Sequence, residues 1–256
     1  MRLLIAGDTH AFRSHLTYLF KVAAHRECSQ IFVLGDMGYW PRTDNGVRFL
    51  KHVYSLVEET GIKLAWLDGN HEDHAALKQL CLDSSEDFIP VFVPGKGASD
   101  GFTYVRRGSR WEWGGVSFLA LGGAYSVDRD QRTEGESFFY EEVIDDADVE
   151  RAIKGGKVDV MLTHDVPMVP TILELLLLKK GRFYKLVEEA EHNREQLESV
   201  RAAVRPTVLF HGHYHIDYSQ KADGTLFRGL DCHNETGFSW TVFDTEAWDE
   251  HNPYYL

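Results

Sequence analysis

Eight side chains, Asp8, His10, Asp36, Asn70, His71, His164, His213 and His215, have the chemistry of metal ligands. Carboxylate, amide oxygen and imidazole without thiolate suit a hard or borderline divalent ion such as manganese, iron or zinc. Two pairs, Asp8/His10 and His213/His215, are spaced two residues apart. In extended backbone that spacing turns both side chains to one face, so each pair can point into one site. Taken singly the pieces are ordinary: Gly-Asp after a strand usually makes a turn, and Asn before His usually bonds the backbone. Order and placement count for more, because five such motifs each directly follow an apolar run.

Those runs define the elements that must position the eight residues. Leu3–Ala6 ends at Gly7-Asp8, Ile31–Leu34 at Gly35-Asp36, and Lys63–Leu67 just before Asp68-Gly69-Asn70-His71. Between them, Ser14–Cys28 and Asn45–Thr60 carry apolar residues every three or four positions, the period of a helix with one buried face. Strand and helix alternating with short connections predict βαβ units and a parallel sheet, with a ligand site beyond the strands' carboxyl ends. A β-rich middle follows: Phe88–Val93, Phe102–Arg107, Trp111–Trp113 and Val116–Leu121. Residues 122–142 read as a long polar loop, Asp145–Lys154 as a helix, and Val158–Leu162 as a strand ending at Thr163-His164. Leu173–Leu178 and Tyr184–Val204 read as helices, and Thr207–Phe210 as a strand ending at His211-Gly212-His213. From Ile216 to Phe243 the pattern alternates like a meander, with Asp223-Gly224 as a hairpin turn.

Composition narrows the functional classes. Lys+Arg 27 against Asp+Glu 40 gives a formal net charge of −13, which disfavours extended nucleic acid and anionic membrane surfaces as partners. Apolar content of 43% supplies a sizeable core. The isolated Cys28, Cys81 and Cys232 read as reduced thiols in a cytosolic protein. The apolar start is too short for a signal peptide, and no run approaches the roughly 18 residues of a membrane span. The expectation is a cytoplasmic protein with one domain over residues 1–256.

The series Asp8-Thr9-His10, Gly35-Asp36, Gly69-Asn70-His71-Glu72, His164 and Gly212-His213-Tyr214-His215 resembles the signature of the calcineurin-like metallophosphoesterase family. The resemblance spans residues 8 to 215 with no signature position missing. It implies an α/β fold in which a two-sheet β-sandwich is flanked by helices, with the active site at the strands' C-terminal ends. It further implies two divalent metal ions, manganese first and iron or zinc as alternatives. Asp8, His10, Asp36 and His215 would hold one ion, and Asp36 would bridge to a second held by Asn70, His164 and His213. His71 would protonate the leaving-group oxygen, and a hydroxide between the ions would attack phosphorus.

Charge then bears on the substrate. Asp8 and Asp36 bring −2, two divalent ions +4 and a bridging hydroxide −1, so the remainder of +1 would balance a singly charged phosphodiester. A monoester dianion calls for added arginines. The phosphoprotein-phosphatase branch has one in G-D-x-x-D-R-G and another just before G-N-H-E. This chain has Tyr39-Trp40 in the first stretch, with Arg42 two residues beyond, and Asp68 at the second. The expectation is a phosphodiesterase acting on a small nucleotide, such as a 2′,3′-cyclic one, with a phosphomonoesterase or a catalytically silent scaffold as alternatives. Tyr39, Trp40 and Arg42 are the substrate-binding candidates, since they closely follow Asp36. An exposed leucine stripe at Leu175–Leu178 would suit a homodimer, although packing on the core is the simpler reading.

Overall fold

Strands with two faces to bury are apolar at every position, and side chains on one strand alternate between those faces. In the computed structural model, which describes residues 1–180, 188–233 and 238–251, the N-terminal strands follow that rule. Leu4, Ala6, Ile31, Val33, Leu64 and Trp66 face helices, whereas Leu3, Ile5, Phe32, Leu34, Ala65 and Leu67 face a second sheet.

The first sheet contains β1 (Arg2–Ala6), β2 (Gln30–Leu34), β3 (Lys63–Leu67), β4 (Phe88–Val93), β5 (Gly97–Val105) and β12 (Trp240–Asp244). The second contains β6 (Ser109–Trp113), β7 (Val116–Leu121), β8 (Val160–Thr163), β9 (Val208–His211), β10 (Tyr218–Ala222) and β11 (Thr225–Gly229). Their orders are β12-β1-β2-β3-β5-β4 and β10-β11-β9-β8-β7-β6. Each sheet has four parallel central strands and one antiparallel strand at either edge. Between the sheets lies one layer of core, including Phe118, Val160, Val208, Phe210, Leu226 and Phe243. Helices α1 (Arg13–His25), α2 (Asp44–Thr60) and α3 (His74–Leu82) cover the first sheet. The second is covered by α4 (Asp146–Ile153), α5 (Pro170–Lys180) and α6 (Glu188–Val204). The fold is the helix-flanked two-sheet sandwich that the resemblance implied.

Local chemistry sets the helix ends. Thr43 accepts a bond from the Gly46 N–H at the start of α2, and the chain leaves that helix through Gly61 at φ 68°. Asp73 caps α3 by accepting from the Ala76 N–H. Asp145 and Asp148 form a reciprocal capping box on α4.

The C-terminal strands depart from the predicted meander. β10 and β11 form the hairpin through Asp223-Gly224, but β11 also pairs in parallel with β9. β12 crosses to the other sheet and pairs antiparallel with β1, because its Phe243 belongs to the core between the sheets. The helix expected over Tyr184–Val204 is seen from Glu188, its first residues lying outside those described. In the leucine stripe Leu176 is buried and Leu178 exposed. Among the described residues no helix is long and apolar enough to cross a membrane.

Candidate metal centre

The loops that follow β1, β2, β3, β8 and β9 converge at one end of the sandwich, carrying Asp8/His10, Asp36, Asn70/His71, His164 and His213/His215. Ligand atoms of Asp8, His10 and His215 lie within 4.8 Å of one another, as do those of Asp8, Asp36 and His164. Asp8 Oδ2 is 2.9 Å from His215 Nε2 and 3.6 Å from His10 Nε2. Asp36 Oδ1 is 3.5 Å from His164 Nε2, and its Oδ2 is 3.9 Å from His10 Nδ1. His164 donates Nδ1–H to the Leu34 carbonyl at 2.7 Å, which leaves Nε2 facing Asp36 and, at 3.2 Å, Asn70 Oδ1. The His213 ring is centred 4.9 Å from that of His164. All seven expected ligands therefore occupy one cluster, with His71 beside it: His71 Nε2 is 4.0 Å from Asp36 Oδ2.

The paired ligands do not lie on extended strands as their spacing suggested. His10, Asp36, His213 and His215 all have left-handed backbone, with φ of 46°, 48°, 64° and 50°. Such conformations cost non-glycine residues energy and persist where the surroundings fix them. Here the Asp36 carbonyl accepts from the His10 N–H at 2.7 Å, and Asp8 Oδ1 accepts from the His213 N–H at 3.0 Å. Two glycines make the convergence possible. A Cβ on Gly69 would sit 2.2 Å from Asp36 Oδ1, and one on Gly212 would sit 2.2 Å from Asp8 Oδ1.

Asp8 and Asp36 are buried, and among the described residues no lysine or arginine forms an ion pair with either. Burial opposes their ionisation, yet His164 and other imidazoles hold both carboxyl groups below the usual range. Burial likewise opposes charge on His164 and His215, but Asp36 and Asp8 beside His164, and Asp8 with Cys232 beside His215, push both up to about 10. Burial pushes His213 down to about 4. The arrangement is a buried anionic pair ringed by imidazole and amide donors, and that donor chemistry fits two divalent cations.

Neighbouring groups fix the turn after β3. Glu72, buried, accepts from the Gly69 and Gly38 N–H groups at 2.7 and 3.1 Å, tying this turn to the one after β2. Asn70 donates to Ser126 Oγ at 3.0 Å, and Ser126 donates to Glu142 at 2.9 Å, so the Asn70 carbonyl oxygen is left facing the cluster.

The three substrate-binding candidates do not join the cluster; they support the His71 turn instead. The Tyr39 carbonyl accepts from the Asp73 N–H, and its buried ring packs on Trp66. Trp40 donates its indole N–H to the His71 carbonyl at 2.9 Å. Arg42 grips Asp73 with two bonds of 2.5 and 2.7 Å. The arginines at 106, 107 and 110 form no basic strip, because each is engaged by backbone carbonyls or buried carboxylates.

Sequence reasoning missed Arg132, in the 122–142 segment, whose Nη2 donates to His71 Nε2 at 2.8 Å. It also missed His233, whose ring is centred 5.7 Å from that of His10 and stacks on Phe12 at 3.7 Å. Neither lies in a motif, and no spacing rule connects them to the site. His211 is buried and bonds Tyr218 Oη at 2.6 Å.

The sequence model of the calcineurin-like phosphoesterase family matches residues 1–217. No curated protein sequence matches the chain. Among solved structures, a dimetal phosphatase from Danio rerio aligns with a TM-score of 0.58 at 13% identity, over 94% of this chain and 91% of that one. The protein TT1561 of Thermus thermophilus aligns with a TM-score of 0.56 at 12% identity, over 96% and 95% of the two chains. At these identities the likeness is one of fold.

Proposed function

The chain belongs to the calcineurin-like phosphoesterase family, and on that premise we propose that it hydrolyses a small phosphoester at a dinuclear centre. The observation that carries this reading is the pair of ligand groups, Asp8/His10/His215 and Asp8/Asp36/His164, meeting on buried carboxylates that no lysine or arginine pairs with among the described residues. Asp8, His10, Asp36 and His215 hold one ion, and Asp36, Asn70, His164 and His213 hold the other. Manganese is the leading choice, with iron and zinc as alternatives. When bound, two such ions activate water and stabilise the entering and leaving oxygens of an in-line displacement.

The rest of the work falls to the chain itself. Asp36 Oδ1 accepts from the His71 N–H at 2.8 Å, which holds the His71 turn over the centre. His71 Nε2 is the atom placed to hand a proton to the leaving oxygen. The Ser126 bond fixes the amide orientation of Asn70. For substrate, the absence of arginine at the two phosphoprotein-phosphatase positions supports a phosphodiester, and the net charge of −13 supports a small one such as a 2′,3′-cyclic nucleotide. The core shared by the two sheets supports one domain over residues 1–256.

The test is metal content and turnover of Asn70→Ala and His164→Ala proteins beside the unaltered one, on bis-(p-nitrophenyl) phosphate and a panel of 2′,3′- and 3′,5′-cyclic nucleotides. The proposal expects loss of about one bound ion and of diester hydrolysis in both variants. Full metal-dependent activity in either would remove the assignment.

A further inference from the structure

Arginine was missing from the two positions where a related branch places it, but the fold brings one to the site by another route. The 122–142 segment reaches the turn after β3 at two points, Ser126 on Asn70 and Arg132 on His71. Arg132 is largely covered, with 11% of its side chain exposed. Its contacts are His71 Nε2 at 2.8 Å, Asp128 Oδ2 at 2.8 Å and the Ser137 carbonyl at 3.3 Å. Other arginines around the turn are held by buried carboxylates: Arg42 by Asp73, Arg107 by Asp68 and Arg129 by Glu142. Arg132 instead faces an imidazole nitrogen and a carboxylate that is 45% exposed, where solvent screens the attraction. A guanidinium gains much more from a phosphoryl oxygen, which accepts charge-assisted and bidentate bonds.

We infer that Arg132 is the anion-binding residue of this centre, exchanging His71 for a phosphoryl oxygen of the substrate, and that its charge lets the centre take phosphomonoester dianions as well as diesters. This rests on the phosphoesterase reading above. The exchange also frees His71 Nε2, which a guanidinium, having only donors, otherwise occupies as an acceptor. In the added reaction one water is consumed. Its oxygen bonds phosphorus as the ester P–O bond breaks, one proton passes to the alcohol and the other remains with the phosphate. A dianion gains more from the arginine than a monoanion, so the two substrate classes respond unequally to its removal.

The experiment compares the unaltered, Arg132→Ala and Arg132→Lys proteins, metal-loaded, on mono- and bis-(p-nitrophenyl) phosphate, with calorimetric titration of inorganic phosphate alongside. Removing the arginine is expected to lower kcat/KM on both substrates, and on the monoester about tenfold more, chiefly through KM. Phosphate affinity falls about tenfold in Arg132→Ala and is partly restored in Arg132→Lys, with melting temperature and metal content unchanged. Equal losses on both substrates, or unaltered phosphate affinity, would overturn the inference while leaving the phosphoesterase reading intact. If the unaltered protein hydrolyses neither ester, the phosphoesterase reading fails, and the phosphate titration still decides whether Arg132 binds the anion.

Discussion

Two buried acidic clusters flank the Gly69-Asn70-His71-Glu72 turn, and they are neutralised in opposite ways. On one side Asp68 receives Arg107 Nε and Nη2 at 2.9 and 2.6 Å and the Tyr104 hydroxyl at 2.9 Å, while Arg107 Nη1 reaches Asp148 at 3.1 Å. Arg107 further donates to the carbonyls of Glu141, Glu142 and Val143. There one fixed guanidinium serves two carboxylates, and its donors are used. On the other side Asp8 and Asp36 meet imidazoles and backbone N–H groups but, among the described residues, no lysine or arginine. The imidazoles of His164 and His215 are pushed up to about 10 against the effect of burial. The first cluster joins α4 and the 141–143 segment to β3 and builds the molecule. The second has the donor set that suits cations.

Exchanging charge for amide at the second cluster gives the largest expected effect. Asp36→Asn is predicted to lose roughly 10⁴-fold in kcat, since it removes the carboxylate proposed as the shared ligand of a site that would supply several kcal/mol to the transition state. Elemental analysis should show fewer than two ions per chain. In the chelator-treated protein the same change should lower stability, because the imidazoles hold Asp36 ionised. The loss should be smaller than on breaking an arginine pair, since His164 can shed its proton once Asp36 is gone. A chelator-treated Asp36→Asn protein destabilised as much as one that loses Arg107 would mean that the two clusters are alike after all.

The first cluster should answer through stability instead. Arg107→Met leaves buried Asp68 and half-buried Asp148 without their countercharge, and breaking a buried pair costs about 3–5 kcal/mol. Urea unfolding of the metal-loaded protein measures it, and turnover of the fraction that remains folded should change far less than in Asp36→Asn. Metal removal falls between these cases. Ions present at a hundred times their dissociation constant stabilise the folded state by about 2.7 kcal/mol, so excess chelator should lower the melting temperature accordingly. An unchanged melting temperature would break the claim that the second cluster awaits cations.

The second cluster was far more legible in the sequence than the first. Asp8, Asp36, Asn70 and His164 each directly follow an apolar strand, so motif and element mark the same place. Asp68 follows its strand just as closely, but its partner Arg107 carries no such mark, and the parallel pairing of β3 with β5 that joins them is not revealed by spacing along the chain. Sheet membership was hidden for the same reason: β12 alternates like any strand, and only its Phe243, filling the core between the sheets, decides which edge it joins. The i, i+2 pairs do meet in one cluster, but left-handed turns rather than extended strand bring them inward. Arg132 was illegible because its neighbours in sequence are solvent-facing and its contact with His71 spans 61 positions.

The smallest predicted effect concerns how the turn between the clusters is held. Trp40 is a half-buried indole whose N–H donates to the His71 carbonyl at 2.9 Å, with Phe139 centred 6.3 Å from its ring. Trp40→Phe keeps aromatic packing and deletes that single donor. A net hydrogen bond is worth about 1 kcal/mol, so kcat should fall about fivefold if His71 is steered by its backbone. Metal content should stay at the unaltered value, because Asn70 is fixed separately through Ser126. KM should also hold, since Trp40 meets His71 from the backbone side and the anion is met by Arg132. A Trp40→Phe protein that loses metal instead would show that the turn moves as one body, with Asn70 and His71 positioned together by the 39–42 segment.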